Sequence, residues 1–334
     1  MKTYQINKKT ITLQGKVTVY EMTDHKNRIR ASVAPSIGAE LCNLELFHDG
    51  KWQSIIYRGN DFSQVAGWQG RAPWLWPAVG RNFTVEQINQ AELSGKEPVT
   101  GSYVLGENTY QMDCHGFAMK QSWSIDSFKE STDAAVLRLS TTSNDETRKY
   151  YPFDYLLLLE YKLDGDGLSI NFQISADEGN DEEMPFGIGN HLTLKIMNLS
   201  GDGWQRMYFR SNATKIFGIN WLSIPDGTSK EMDYSKNISL LDDNAHNKVI
   251  GGFQGTPYVE INDFFGRTVI VSQLLSGKAH LNDQLYFVFW RSIEAGYFCP
   301  EPWLGLPNSL NSGGPARLSP GEKLVWKMKI QTTE

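Results

Sequence analysis

Between positions 155 and 177 the chain reads YLLLLEYKLDGDGLSINFQISAD, and this stretch limits the possible folds more than any other. Tyr155, Leu157, Leu159, Tyr161 and Leu163 share one face, and Leu168, Ile170, Phe172 and Ile174 share another. Side chains of an extended strand alternate between faces, so each run predicts a strand with one apolar side. The Asp-Gly-Asp-Gly between them supplies residues that tolerate positive φ, the chemistry of a tight hairpin turn. Further short strands are predicted in RIRASVAP, AAVLRLSTTS, PYVEIND, RTVIVSQ, LYFVFWRSI and KLVWKMKI, separated by Gly, Asn, Asp and Pro. Stripes at the helical period are scarce, and VEQINQAEL is the one short helix candidate.

Many short strands joined by turns predict an all-β fold, a sandwich or a barrel. The 334 residues exceed an average domain but suit one large β-architecture with a sizeable core. No fixed-period repeat, low-complexity tract or linker interrupts them, so a single domain over 1–334 is expected.

Several function classes are disfavoured. A formal charge of −6 argues against nucleic acid or an anionic membrane as partner. Cys42, Cys114 and Cys299 are odd in number and form no CxxC pair, which speaks against a disulfide framework. The N-terminus MKTYQINKKTITL has no apolar stretch of signal-peptide type, and no window approaches the roughly 18 apolar residues of a span. A soluble, cytoplasmic protein is therefore expected, and NFT, NLS, NAT and NIS are read as chance matches to the glycosylation pattern. DGDG is no calcium loop, because position twelve counted from Asp164 is Ser175 rather than Glu. GIGNHL lacks the third glycine and the helix of a dinucleotide site, and no P-loop, HExxH or GxSxG occurs.

Six histidines are present, and His25, His48, His246 and His280 lie in polar or turn-like surroundings. His115 precedes Gly116-Phe117 in DCHGFAMKQSW, and His191 follows Gly187-Ile188-Gly189-Asn190. An imidazole beside glycine, where a ligand can approach the backbone, suits an acid, base or donor, although a packing role fits both as well. Glu301 stands between Pro300 and Pro302, which restrict it toward extended geometry. A carboxylate held so stiffly suits a general base, and equally a rigid surface loop. Arg71 and Arg81 lie among the tryptophans of GWQGRAPWLWPAVGRN, where a planar guanidinium could meet vicinal hydroxyls or a carboxylate, or simply end a strand. Ten tryptophans suit carbohydrate stacking as well as core packing.

Four stretches occur in the order of the aldose 1-epimerase, or galactose mutarotase-like, family: RAPWLWPAVGRN; HGFAMKQSW; YPFDYLLLLEYKL with MPFGIGNHLTL; and EPWLGLPNSLN with LSPGEKLVWKMKI. Together they span roughly 30–330, and the chain is similar to that family in their order and spacing. The resemblance implies a large antiparallel β-sandwich and an isomerase that interconverts the anomers of a free or modified hexose. It implies His191 as general acid, Glu301 as general base, and His115 as a substrate contact. It further implies Arg81, or alternatively Arg71, as the sugar-binding arginine, and Trp123 as the aromatic closing the HGF segment on the substrate side. The implied chemistry needs no metal or other cofactor, and its partner is a small sugar. The chain departs from the family after His191, where Leu192, Thr193 and Leu194 replace an aromatic, and the family's substrate-binding aspartate has no evident counterpart. The identity of the sugar and the oligomeric state therefore stay open. A non-catalytic carbohydrate-binding or sensing protein is the alternative. A glycoside hydrolase is disfavoured, because Glu301 has no evident carboxylate partner.

Overall fold

The computed structural model describes residues 3–12, 16–59, 70–197, 203–312 and 316–333, with the side chain of Asp263 left aside. The hairpin forms as the alternation requires. Tyr155–Asp164 pairs antiparallel with Gly167–Ala176, with Asp164 opposite Gly167. Tyr155, Leu157, Leu159, Tyr161 and Leu163 are buried, as are Leu168, Ile170, Phe172 and Ile174. The six other predicted segments are strands as well: Ile29–Ala34, Ala134–Thr142, Tyr258–Phe264, Arg267–Ser276, Leu285–Ser292 and Lys323–Thr333. VEQINQAEL opens the helix Val85–Ser94, which Thr84 and Gln87 start with a capping box and Gly95 ends at φ 65°.

Two antiparallel sheets carry most of the structure. One contains the hairpin, flanked by Lys323–Thr333 and Arg267–Ser276 on one side and by Ala134–Thr142 and Ser124–Glu130 on the other. The other runs in the order Pro225–Glu231, Lys215–Ile219, Lys248–Gly251, Leu285–Ser292, Tyr297–Leu304, Ile188–Asn190 and Trp74–Leu75. Five consecutive strands from Tyr4–Thr12 to Lys51–Ser54 form a separate meander. The two large sheets meet through aromatic rings: Trp74 lies 5.2 Å from Phe172 and 6.1 Å from Trp326 between ring centroids. This is the antiparallel β-sandwich that the alternation and the resemblance predict. Truncating such a buried tryptophan to alanine costs about 3–5 kcal/mol, so Trp74 and Trp76, both fully buried, hold the sheets together.

Those two tryptophans line no groove, and Trp68 lies outside the described residues. Trp123 also belongs to the core: it is 4% exposed and packs on Phe172 at 5.7 Å, so it does not reach a substrate surface. Strand alternation explains the burial of Trp74. Facing residues of the two sheets must fill the space between them, and the large rings of the W-L-W stretch do so, while Leu75 turns to the opposite face with Val79 and Trp303.

Candidate active site

Pro300 and Pro302 lie within the strand Tyr297–Leu304, in the interior of the second sheet, rather than in a surface loop. Proline brings no N–H to a ladder and is normally confined to edges or bulges. On one side this strand pairs along its whole length with Leu285–Ser292. On the other side the neighbouring chain pairs only with its ends: Leu194 and Lys195 with Phe298 and Tyr297, and Ile188 and Gly189 with Leu304 and Trp303. Between those contacts residues 190–193 leave the ladder and bond to residues 71–73. The His191 N–H donates to the Pro73 carbonyl at 3.0 Å, the Thr193 N–H to the Arg71 carbonyl at 2.9 Å, and Asn190 Nδ2 to the Ala72 carbonyl at 2.9 Å.

The detour sets His191 opposite Glu301, with Nε2 3.3 Å from Oε1. Alternation along the proline-bearing strand puts Phe298 and Leu304 in the core and turns Cys299, Glu301 and Trp303 to the other face. On that face lies a cleft of about 280 Å³. The register places Val249, Val288 and Glu301 side by side across three strands at its floor. His191, Arg81, His115 and Cys114 line it as well, together with the indole rings of Trp303 and Trp290. Gly189 permits this packing, because a Cβ there would meet Trp303 Cδ1 at 2.5 Å. The glycines near His191 thus serve close approach between protein segments rather than to a ligand.

His115 adopts a left-handed φ of 68° and bonds Gly80 twice. Its own N–H donates to the Gly80 carbonyl at 2.9 Å, and its Nδ1 accepts from the Gly80 N–H at 3.0 Å. With Nδ1 an acceptor, the neutral ring carries its proton on Nε2 and is a donor there. Gly116, φ 70°, lets this turn press on the Trp76 carbonyl, which a Cβ would meet at 2.3 Å. The His115 ring packs edge-on at 5.3 Å from His191 and 5.7 Å from Trp303.

Burial governs the protonation states. Glu301 is 1% and His191 6% exposed. Burial pushes the Glu301 carboxyl well above the usual carboxylate range, with the Trp303 indole pulling the other way. Burial, and then His115, push the His191 imidazole well below its ordinary value. His115 falls to about 4 through burial and the charge of Arg81. Burial therefore favours imidazole with carboxylic acid over imidazolium with carboxylate for the His191–Glu301 pair. Both distributions contain one proton, and moving it along the 3.3 Å contact interconverts them.

Arg81 lines the cleft, as expected, with its Nη1 in an ion pair with Glu97. Arg71 does not line it. Its side chain is fully buried in an ion pair with Glu40, and its backbone carbonyl anchors Thr193. The alternative of Arg71 as a sugar-binding side chain is thereby corrected: from a bend with φ 66° its guanidinium points into the interior, where the buried Glu40 carboxylate offsets its charge. Ser223 and Asn247, which the sequence did not single out, line the cleft as well. A larger hollow of about 670 Å³ between Lys215, Phe253 and Leu274 contains neither a histidine nor a buried acid, so size alone does not mark the chemistry. His191, Cys299 and Glu301 each offer one metal-ligand atom within 4.8 Å of the others. The buried Cys299 thiol, pushed well above its ordinary range by burial and by Glu301, donates to Thr193 Oγ1 at 3.6 Å, so a cation there would have to displace that proton.

The sequence profile of the family described as "Aldose 1-epimerase" matches residues 23–331. The protein named "Putative glucose-6-phosphate 1-epimerase" of Escherichia coli (strain K12) is 22% identical over 183 residues, covering 54% of this chain and 60% of its own. The protein of the same name from Salmonella typhimurium is 23% identical over 190 residues, covering 54% of this chain and 64% of its own. The chain thus spans less than two thirds of either relative. Among solved structures, a galactose mutarotase related enzyme from Lactobacillus acidophilus superposes with TM-score 0.70 at 19% identity, covering 97% of each chain.

Proposed function

Since the chain belongs to the aldose 1-epimerase family, we propose that it interconverts the α and β anomers of an aldose, with His191 and Glu301 as the acid–base pair. The observation that carries this reading is the 3.3 Å contact of two buried ionisable groups, His191 and Glu301, lining one cleft. Anomer exchange requires one proton to leave the C1 hydroxyl and one to reach the ring oxygen. When the C1 hydroxyl donates a hydrogen bond to Glu301, it favours the carboxylate, which shifts the shared proton to His191. Glu301 then takes the hydroxyl proton while His191 protonates the ring oxygen. The C1–O bond of the ring breaks as the C1 carbonyl forms. After rotation about C1–C2 the ring oxygen adds to the other face of the carbonyl, and each proton returns.

The neutral His115 Nε2–H suits a hydroxyl contact beside the acid, and the Arg81 guanidinium, which lines the same cleft, suits another. Trp303 and Trp290 suit the apolar C–H faces of a pyranose. A cleft of about 280 Å³ lies just under the usual range of ligand sites, roughly 300–1,000 Å³, which suits a ligand as small as one sugar ring.

Saturation-transfer proton NMR between anomers, run across free aldoses and sugar phosphates, tests the reading. Exchange faster than the spontaneous rate for at least one aldose is expected. Sugar binding without such acceleration would favour the carbohydrate-sensing alternative.

A further inference from the structure

The acid–base pair handles only the anomeric end of a sugar, and the remaining hydroxyls need partners. Most of the rest of the cleft is apolar: Ile219, Val249, Val288, Trp290, Trp303 and Pro307. Arg81 is the one cation in its lining among the described residues, and Glu97 already neutralises it. His115 Nδ1 is occupied by Gly80. Two neutral side chains with an oxygen that can accept remain, Ser223 and Asn247, and neither side chain forms a hydrogen bond with the described residues.

Both are held in place by their neighbours. Ser223 has φ 58° and lies in the turn between Lys215–Ile219 and Pro225–Glu231. Its N–H donates to the Asn220 carbonyl at 2.9 Å. The flanking Leu222 and Ile224 are buried against Phe83 and Ala91, and their N–H groups donate to Asn220 Oδ1 at 3.0 and 3.3 Å. Asn247 has φ 51° and immediately precedes Lys248–Gly251. The preceding His246 packs on Trp290 at 4.5 Å between ring centroids and accepts the Arg291 N–H at 3.3 Å. Asparagine enters the left-handed region readily, whereas for serine it is uncommon, so the turn around Asn220 constrains Ser223 more than the backbone alone would.

Position gives the pair its use. Lys248–Gly251 lies two strands from Tyr297–Leu304, and with strands about 4.8 Å apart that is about 10 Å. Asn247 therefore stands across the cleft from Glu301, and Ser223, in the turn of the next two strands of the same sheet, lies on that far side too, where the hydroxyls remote from C1 would lie.

We propose that Ser223 and Asn247 are the specificity-determining residues of this cleft: they bind hydroxyls of an uncharged aldose, and the cleft disfavours phosphorylated sugars. This rests on the anomerase reading above. A phosphate dianion entering the cleft would meet one cation, already paired, and a largely apolar wall. A neutral sugar would meet one hydroxyl and one amide able both to donate and to accept.

The test uses the full chain, Ser223→Ala and Asn247→Ala, with glucose, galactose, their singly deoxygenated analogues and glucose 6-phosphate as probes. Anomer exchange gives KM and kcat. The unaltered enzyme is expected to show a lower kcat/KM for glucose 6-phosphate than for glucose. Each variant is expected to raise KM about 3- to 10-fold, the loss of one neutral hydrogen bond, with kcat within about 2-fold. That loss should vanish for the analogue lacking the hydroxyl in question, as a double-mutant cycle requires. Equal losses on every analogue, or losses confined to kcat, would show a structural role and overturn the assignment. A preference for the 6-phosphate would overturn the charge argument. A binding arm, titrating the same sugars and following ligand saturation-transfer difference, gives Kd without turnover. If no aldose is exchanged but the Kd pattern holds, the anomerase reading fails while the proposal stands. If neither variant moves any Kd or KM, the proposal fails alone.

Discussion

Replacing Glu301 by Gln keeps the side chain's shape and removes its capacity to carry the shared proton. Burial already pushes this carboxyl toward its uncharged form, so a neutral amide should be accommodated without loss of the fold. General acid–base catalysis contributes about 10²–10⁴-fold, or about 3–5 kcal/mol of barrier at 1.36 kcal/mol per tenfold. Glu301→Gln should therefore lower kcat by at least about 10²-fold, and His191→Asn should do the same. The 3.3 Å contact adds a sharper expectation. If one proton is handled by both groups, either single change disables the pair, and the double variant should be about as slow as the slower single one. Saturation-transfer NMR on one accepted sugar measures all three, with circular dichroism and thermal melting to check the fold. The reasoning fails if either single variant stays within about tenfold of the unaltered enzyme while folded. It also fails if the two losses multiply in the double variant, because independent groups would then be acting.

The pair is competent with one proton, so kcat/KM should fall in acid as His191 gains a second; burial places that limb below pH 6.5, and an acid limb above pH 6.5 would contradict it. The alkaline limb, loss of the shared proton, should lie well above pH 4.5 and disappear from the residual activity of Glu301→Gln. His115→Asn should keep measurable activity, about 3- to 10-fold down, since it removes one hydrogen bond; if it is the slowest variant, the acid has been misassigned. Arg81→Ala should raise KM more than it lowers kcat, read from the same kinetics. Arg71→Ala should leave Glu40 buried without its counter-ion and cost about 3–5 kcal/mol in urea unfolding, with KM unchanged in the folded fraction.

Strand content was legible because it depends on a local alternation. Tyr155 to Leu163 and Leu168 to Ile174 bury every second residue, and DGDG could only turn between them. Alternation says which residues share a face but not what that face meets. Trp74 and Trp123 look the same in sequence whether they stack on sugar or on Phe172, and only the packing of two sheets decides it. Arg71 and Arg81 posed the same ambiguity ten positions apart. Glu40, thirty-one residues before Arg71, turns one into a buried ion pair, and no local pattern contains that contact.

The site was legible in part for a related reason. Pro-Glu-Pro announces an extended, stiff carboxylate, and the structure adds why it matters that the extension lies inside a sheet. Two residues without N–H groups sit where the neighbouring chain pairs only at the strand's ends, and the detour of residues 190–193 brings His191 to Glu301. That partnership, across 110 positions, came from resemblance rather than from spacing. Ser223 and Asn247 carried no signal at all, since a serine and an asparagine in turns are ordinary in sequence. Their left-handed backbones and unengaged side chains become visible only once Leu222, Ile224 and His246 are seen fixing them at the cleft wall. Chemistry held in one rigid strand can thus be read from its own neighbours along the chain, whereas selectivity spread over turn residues depends on contacts that only the folded sheets create.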